Sequence, residues 1–330
     1  YKIRATDDDG SCDYDLDDDG VLDADEILGC TDSTANNYNS EATDENGSCD
    51  YDLDDDGVGS ITAGGSHTCA ILDDGSVSCW GDNDYGQLGD GTTTDRNTST
   101  QTSSLGTDRT AVAITAGYRH TCAILDDGYV SCWGYNSAGQ LGDGTTMMRN
   151  TSTQTSSLGA DRTAVAITAY SHHTCAILDD GSVSCWGRNN QGQLGDGTTT
   201  TNPRSTPTQT SSLGTDRTAV AITAGYWHTC AILDDASVSC WGHNGNGRLG
   251  DGTTNDGFTP TQTSSLGADR TAVAITAGYR HTCAILDDGS VSCWGYNSGG
   301  QLGDGTTTNR NTPTQTSSLG TDRTAVAITA

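Results

Sequence analysis

The sequence predicts an all-β chain of four-stranded repeat units behind a short acidic connector, and three observations carry that prediction. The stretch ITAGYRHTCAILDDGSVSCWGYNSGGQLGDGTT at Ile275 has close copies beginning at Ile61, Ile114, Ile167 and Ile222, at intervals of 53, 53, 55 and 53 residues. Self-similarity at a period near 50 belongs to propellers, solenoids or arrays. Thr, Ser, Gly and Asp dominate and Lys2 is the only lysine, a composition that suits strands and turns and disfavours helices. Ten of the thirteen cysteines fall in five pairs at one spacing, one pair per repeat.

The connector, residues 1–59, is itself repetitive. ATDDDGSCDYDLDDDG from Ala5 returns as ATDENGSCDYDLDDDG from Ala42. Between the copies lies Asp15, Asp17, Asp19, Gly20, Val21, Asp23 and Glu26. Side-chain oxygens at positions 1, 3, 5, 9 and 12, the Val21 carbonyl at 7 and glycine at 6 match a complete calcium loop. A solvated acidic linker is the competing reading. Asp52, Asp54 and Asp56 begin a second loop that has Ala63 where the closing Glu belongs, so it is a half site. Cys30 and Cys49 close one unit and are expected to pair. The partner of Cys12 would stand about seven residues before Tyr1, so the chain is expected to be a window on a longer protein.

Residues 60–330 hold the repeats, each read as four short strands. In the second copy these are expected at Ala111–Ala116, His120–Leu125, Tyr129–Gly134 and Thr151–Ser157. The turn Asp126-Asp127-Gly128 is a three-residue hairpin loop with glycine at the left-handed position. Pairing about that turn sets Cys122 opposite Cys132 in a non-hydrogen-bonded pair, where side chains lie closest and a cross-strand disulfide fits. The same register predicts Cys69–Cys79, Cys175–Cys185, Cys230–Cys240 and Cys283–Cys293. Zinc is the alternative, but two thiols and one His per repeat fall short of a closed four-ligand site. The fourth repeat carries Ala236 in place of the turn glycine.

The net charge of -29 excludes nucleic acid as a partner. No apolar run is long enough for a membrane span. Recurrent disulfides point to an oxidising, extracellular or cell-surface location.

His120-Thr121-Cys122-Ala123-Ile124-Leu125, Asp127-Gly128-Tyr129-Val130-Ser131-Cys132-Trp133-Gly134-Tyr135-Asn136 and Gly139-Gln140-Leu141-Gly142 together resemble the regulator-of-chromosome-condensation repeat. The resemblance covers about 270 residues and implies a β-propeller of four-stranded blades, here five blades plus one opening strand at residues 325–330. The family's nuclear member acts on a small GTPase and docks on nucleosomes, a role that the charge opposes. Secreted bacterial propellers of the family, some of which bind other proteins, are the nearer expectation. The Gly29-Cys30-Thr31-Asp32 unit resembles a small module of large secreted proteins of aquatic bacteria, and the calcium loop resembles those of dockerin-like and thrombospondin type 3 segments.

His67, His120, His173, His228 and His281 recur at one place, as do Trp80, Trp133, Trp186, Trp241 and Trp294. A role repeated five times is architectural: His bonding between strands, Trp filling the blade core. Gly-Gln-Leu-Gly reads as a turn. The differences between copies are more telling. Before the shared His stand Gly65-Ser66, Tyr118-Arg119, Ser171-His172, Tyr226-Trp227 and Tyr279-Arg280; after the shared Trp-Gly stand Asp82, Tyr135, Arg188, His243 and Tyr296. In an up-and-down blade both loops emerge on one side, so both sets are expected on one face, with Tyr118, Arg119, Tyr135, Arg188, Tyr226, Trp227, His243, Tyr279, Arg280 and Tyr296 as the expected partner-binding residues. Unselected drift on a solvated face is the bland alternative.

No Ser/His/Asp set or carboxylate pair departs from the repeat symmetry, so no enzyme activity is expected of these residues. The leading functional expectation is a structural or adhesive component of an extracellular layer or filament, rigidified by calcium and disulfides, its partners being copies of itself or other extracellular protein. The alternative is a secreted module capturing a protein or glycan on the variable face. An enzyme with its catalytic domain elsewhere is the third reading.

Overall fold

In a computed structural model the described residues are 58–321 and 323–330, together with the backbone of two short paired segments, Leu28–Gly29 and Asp44–Glu45. The expected calcium loop, the second Asp-rich half site, Cys12, Cys30 and Cys49 lie outside the described residues. The chain divides between Gly59 and Ser60, and the second unit is described here.

That unit is an all-β propeller of five four-stranded antiparallel sheets, each following chain order from its first strand to its fourth. Blade 1 opens with Val58–Ala63, and blade 2 comprises Ala111–Ala116, His120–Leu125, Val130–Gly134 and Arg149–Gln154. Blades 3, 4 and 5 begin at Ala164, Ala219 and Ala272. First strands of successive blades approach one another, with Thr115 Oγ1 accepting the Ala169 N–H at 2.9 Å.

The second strand shows why the repeat has this sequence. His-Thr-Cys-Ala-Ile-Leu lacks a polar face, and in blades 2 to 4 all six residues are buried. A sheet stacked between two others must be apolar on both sides. Cys122 and Ile124 face forward with Leu141 into a cluster completed by Ala164, Ala176, Leu178 and Trp186 of blade 3. Ala123 and Leu125 face backward, with Trp133, against Cys69, Ile71, Val77 and Leu88 of blade 1. The tryptophans therefore fill the seams between blades, a correction to their expected place inside a blade.

The hairpin register is the one the turn dictates. Cys122 faces Cys132 and Ile124 faces Val130, while Gly128 N–H donates to the Leu125 carbonyl. All five hairpin disulfides are formed, each with a Cα–Cα separation of 4.1 Å, as expected of non-hydrogen-bonded pairs.

Two strand expectations are corrected. The fourth strand of blade 2 begins at Arg149 and ends at Gln154, earlier than expected, because Asp143 holds Arg149 at 2.7 Å and fixes the strand's entry. Residues 325–330 form no strand. Ala325 N–H bonds the Gly289 carbonyl, and Ala325 and Ile328 pack on blade 5, but a first strand draws its ladder from the second strand of its own blade, absent here.

Ala236 adopts φ 60°, the left-handed conformation that glycine holds in the other four turns. A methyl group there carries a backbone cost that glycine avoids. Ala236→Gly is expected to stabilise the domain by about 1 kcal/mol, read as a rise in the urea midpoint at constant m; an unchanged or lower midpoint would show that the turn bears no strain.

Candidate functional site

The recurrent histidines serve the seams, not the strands within a blade. His120 Nε2 lies 3.0 Å from Thr174 Oγ1 of the next blade, and Thr174 donates to the Gln140 carbonyl of blade 2 at 3.0 Å. Because the threonine proton goes to that carbonyl, Nε2 must be the protonated imidazole nitrogen. The relay recurs at His67–Thr121, His173–Thr229 and His228–Thr282. Trp186 Nε1 donates to the same Gln140 carbonyl at 2.9 Å. Gly-Gln-Leu-Gly is thus a turn that also seats the neighbouring blade. Asn136 pins it, its Nδ2 donating to the Asp143 carboxylate and its Oδ1 accepting from the Leu141 N–H.

Burial depresses these imidazoles: His67 to about 4, His173 to about 3, and His120 and His228 well below the ordinary value. A base whose folded pKa lies below its unfolded one contributes stability that is complete above about pH 6.5 and is lost as pH falls toward the folded value. Urea midpoints should therefore fall between pH 6.5 and 4. A flat profile there would mean the histidines are not held neutral.

On one face of the propeller the loops after the first and third strands bring the variable residues together. Arg119 lies 4.5 Å over the Tyr85 ring and 5.3 Å over Tyr118. Tyr85 meets Tyr135 edge-on at 4.9 Å, Tyr135 meets His172 at 5.8 Å, and His172 lies 6.3 Å from Tyr118, closing a ring of contacts across blades 1 to 3. A second cluster spans blades 3 to 5. Tyr226 contacts Tyr170, Trp227 and Tyr279, the last at 4.3 Å. Trp227 meets His243, which bonds Asp256 at 2.8 Å, and Arg280 covers Tyr279 and Tyr296. Arg188 stands beside the first cluster, its Nε donating to Asn190. Tyr118 and Tyr279 are nearly half exposed.

All ten residues expected on this face are on it. Sequence reasoning missed Tyr85, Tyr170 and the buried Arg248, which replaces the repeat's Gln, and it did not carry His172 into the site. The opposite face is self-paired: Arg109, Arg162, Arg217 and Arg270 each bind an aspartate of a hairpin turn. No helix among the described residues is long and apolar enough to cross a membrane.

The family model for the RCC1-like domain matches residues 23–330. The ultraviolet-B receptor UVR8 of Arabidopsis thaliana is 30% identical over 262 residues, 79% of this chain and 58% of the receptor. A probable E3 ubiquitin-protein ligase, HERC4 of Homo sapiens, is 35% identical over 61% of this chain and 19% of its own length. The chain thus spans less than two thirds of these curated relatives. Among solved structures, human WBSCR16 superposes with a TM-score of 0.68 at 21% identity, covering 79% of this chain and 67% of that one. Yeast RCC1 (Prp20), solved bound to Kap60, superposes with a TM-score of 0.52 at 18% identity, covering 79% and 75%. Motif, blade topology and matched length agree, and the chain belongs to the RCC1-like domain family.

Proposed function

We propose that this propeller is an extracellular protein-binding module that captures its partner on the aromatic and arginine-rich face. One observation carries the reading: every side chain that breaks the repeat pattern in the loops after the first and third strands of blades 2 to 5 converges on one face. There they form two contiguous ring and guanidinium clusters. Tyr, Trp and Arg dominate binding hot spots because they bury large areas at low entropic cost. Five buried disulfides favour an oxidising compartment. No catalytic role is proposed.

The test is to bind the immobilised chain to the extracellular protein fraction of its native host. The triple variant Tyr118→Ala, Tyr226→Ala, Tyr279→Ala should lose at least ten-fold of the specifically retained protein, with its melting temperature kept, whereas Tyr129→Ala on the opposite face should lose none. Equal retention by all three proteins would overturn the reading.

A structural or adhesive role in a surface layer or filament is the second reading, favoured by the near-identity of the blades. In that case the captured protein is another copy, and the retained species has this chain's own mass. The connector is proposed to hold one calcium at Asp15, Asp17, Asp19, Val21, Asp23 and Glu26. Chelation should then speed proteolysis within residues 1–59 and leave the blades intact; an unchanged cleavage rate would contradict it.

A further inference from the structure

Charge is distributed unevenly over the arginines. Nine follow the repeat register, and among the described residues all but Arg323, in the last and incomplete repeat, pair with an aspartate: Arg96, Arg109, Arg149, Arg162, Arg204, Arg217, Arg270 and Arg310. On the variable face Arg119, Arg188 and Arg280 have no carboxylate partner among the described residues. Arg119 and Arg280 lie over tyrosine rings and Arg188 bonds only an amide oxygen. In a chain of net charge -29, guanidiniums left unneutralised beside so many available carboxylates are conspicuous.

Blade 3 departs from its neighbours in three ways, and all three meet at one point. Its repeat is two residues longer, and its fourth strand, Thr200–Gln209, runs to 10 residues where the others have 6. The loop before its shared His reads Tyr170-Ser171-His172, and Ser171 is held at φ 48°, an unfavourable conformation for a residue with a Cβ. Its residue after Trp-Gly is Arg188. The added residues wall off a cleft of about 330 Å³ lined by Tyr135, His172, Arg188, Asn190, Asn202 and Pro203. Burial, then Arg188, then Arg119, hold the His172 pKa down to about 4, so the ring lining the cleft is neutral.

We propose that this cleft between blades 2 and 3 is a carboxylate-binding subsite, in which Arg188 anchors an acidic peptide segment of the protein partner. This rests on the binding reading above and names the partner's chemistry. A planar guanidinium with free Nη groups matches a carboxylate through two parallel hydrogen bonds. The Asn190 and Asn202 side chains supply amide partners for the peptide backbone. A sugar acid is disfavoured because pyranose rings stack on open aromatic faces. Here Arg119 covers one face of Tyr85 and Arg280 one face of Tyr279, and Tyr135 packs at steep angles against Tyr85 and His172.

Fluorescein-labelled octaglutamate, titrated against the 330-residue chain by anisotropy, tests this. Octaglutamate should bind despite the protein's net charge, and binding should weaken with salt. Arg188→Gln should weaken it about ten-fold, Arg188→Lys less, and Arg162→Gln on the opposite face not at all. Melting temperatures would show that each variant is folded. Three results would each overturn the proposal: no octaglutamate binding by the unmodified chain, an Arg188→Gln affinity within two-fold of it, or tighter binding of a heparin oligosaccharide than of octaglutamate. Loss of partner capture by the tyrosine variants, with octaglutamate binding indifferent to Arg188, would leave the binding face standing and the acidic-peptide assignment refuted.

Discussion

Trp186→Ala is expected to destabilise the propeller by about 3–5 kcal/mol, the range for truncating a buried aromatic residue. The ring is fully buried between blades 2 and 3, against Cys122, Ile124, Val130 and Leu141 on one side and Ala164, Ala176 and Leu178 on the other. Its indole N–H also occupies the Gln140 carbonyl, which the Thr174 hydroxyl shares. Alanine would leave a cavity that two stiff sheets cannot close. Trp80 provides the internal control. It holds the same repeat position in blade 1, where no described blade precedes it, and is only half-buried. Trp80→Ala should therefore cost less than about 2 kcal/mol. Urea titrations of both variants measure the difference, and equal losses would mean that the ring stabilises its own blade and not the seam.

The second large effect concerns the disulfides. The double variant Cys122→Ala, Cys132→Ala should lose about 2–3 kcal/mol, since a bridge across a short loop restricts the unfolded chain only modestly. The native bridges should also resist reduction. Cys122 and Cys132 have no exposed surface and face blade 3, so a reductant reaches them only when blades separate. Cys283 and Cys293 of blade 5 retain 5% and 3% exposure, and theirs should be the first bridge to open. Timed alkylation and peptide mapping would report the order. Simultaneous reduction of all five without denaturant would contradict the buried-seam arrangement.

How much of this was legible in the sequence depended on how local each cause is. The hairpins were readable because Asp126-Asp127-Gly128 fixes the register within a few residues, which put Cys122 opposite Cys132. The fourth strands were not, because Arg149–Gln154 is a polar outer strand with no apolar alternation, bounded by an ion pair to Asp143. Recurrence marked His120 and Trp186 as architectural but could not say what they touch. Their partners, Thr174 and Gln140, lie 54 and 46 residues away. On the variable face, comparing repeats at two positions found ten residues. Extending the comparison to the loop before Gly-Gln-Leu-Gly would have found Tyr85, where the other blades carry Ala138, Gln191, Asn246 and Gly299. Tyr170 was hidden by a shift of one position, since it stands where Gly117 and Gly225 stand in neighbouring blades.

Site-specific photo-crosslinking tests the binding face most directly. A benzophenone amino acid is placed in turn at Tyr118, at Tyr279 and at Tyr129, which is comparably exposed on the opposite face. Irradiation in the native extracellular fraction should yield a discrete covalent adduct with one protein from positions 118 and 279, and none from 129. An adduct from position 129 as abundant as from the other two, or from 129 alone, would contradict the assignment of the aromatic and arginine-rich face as the surface that binds.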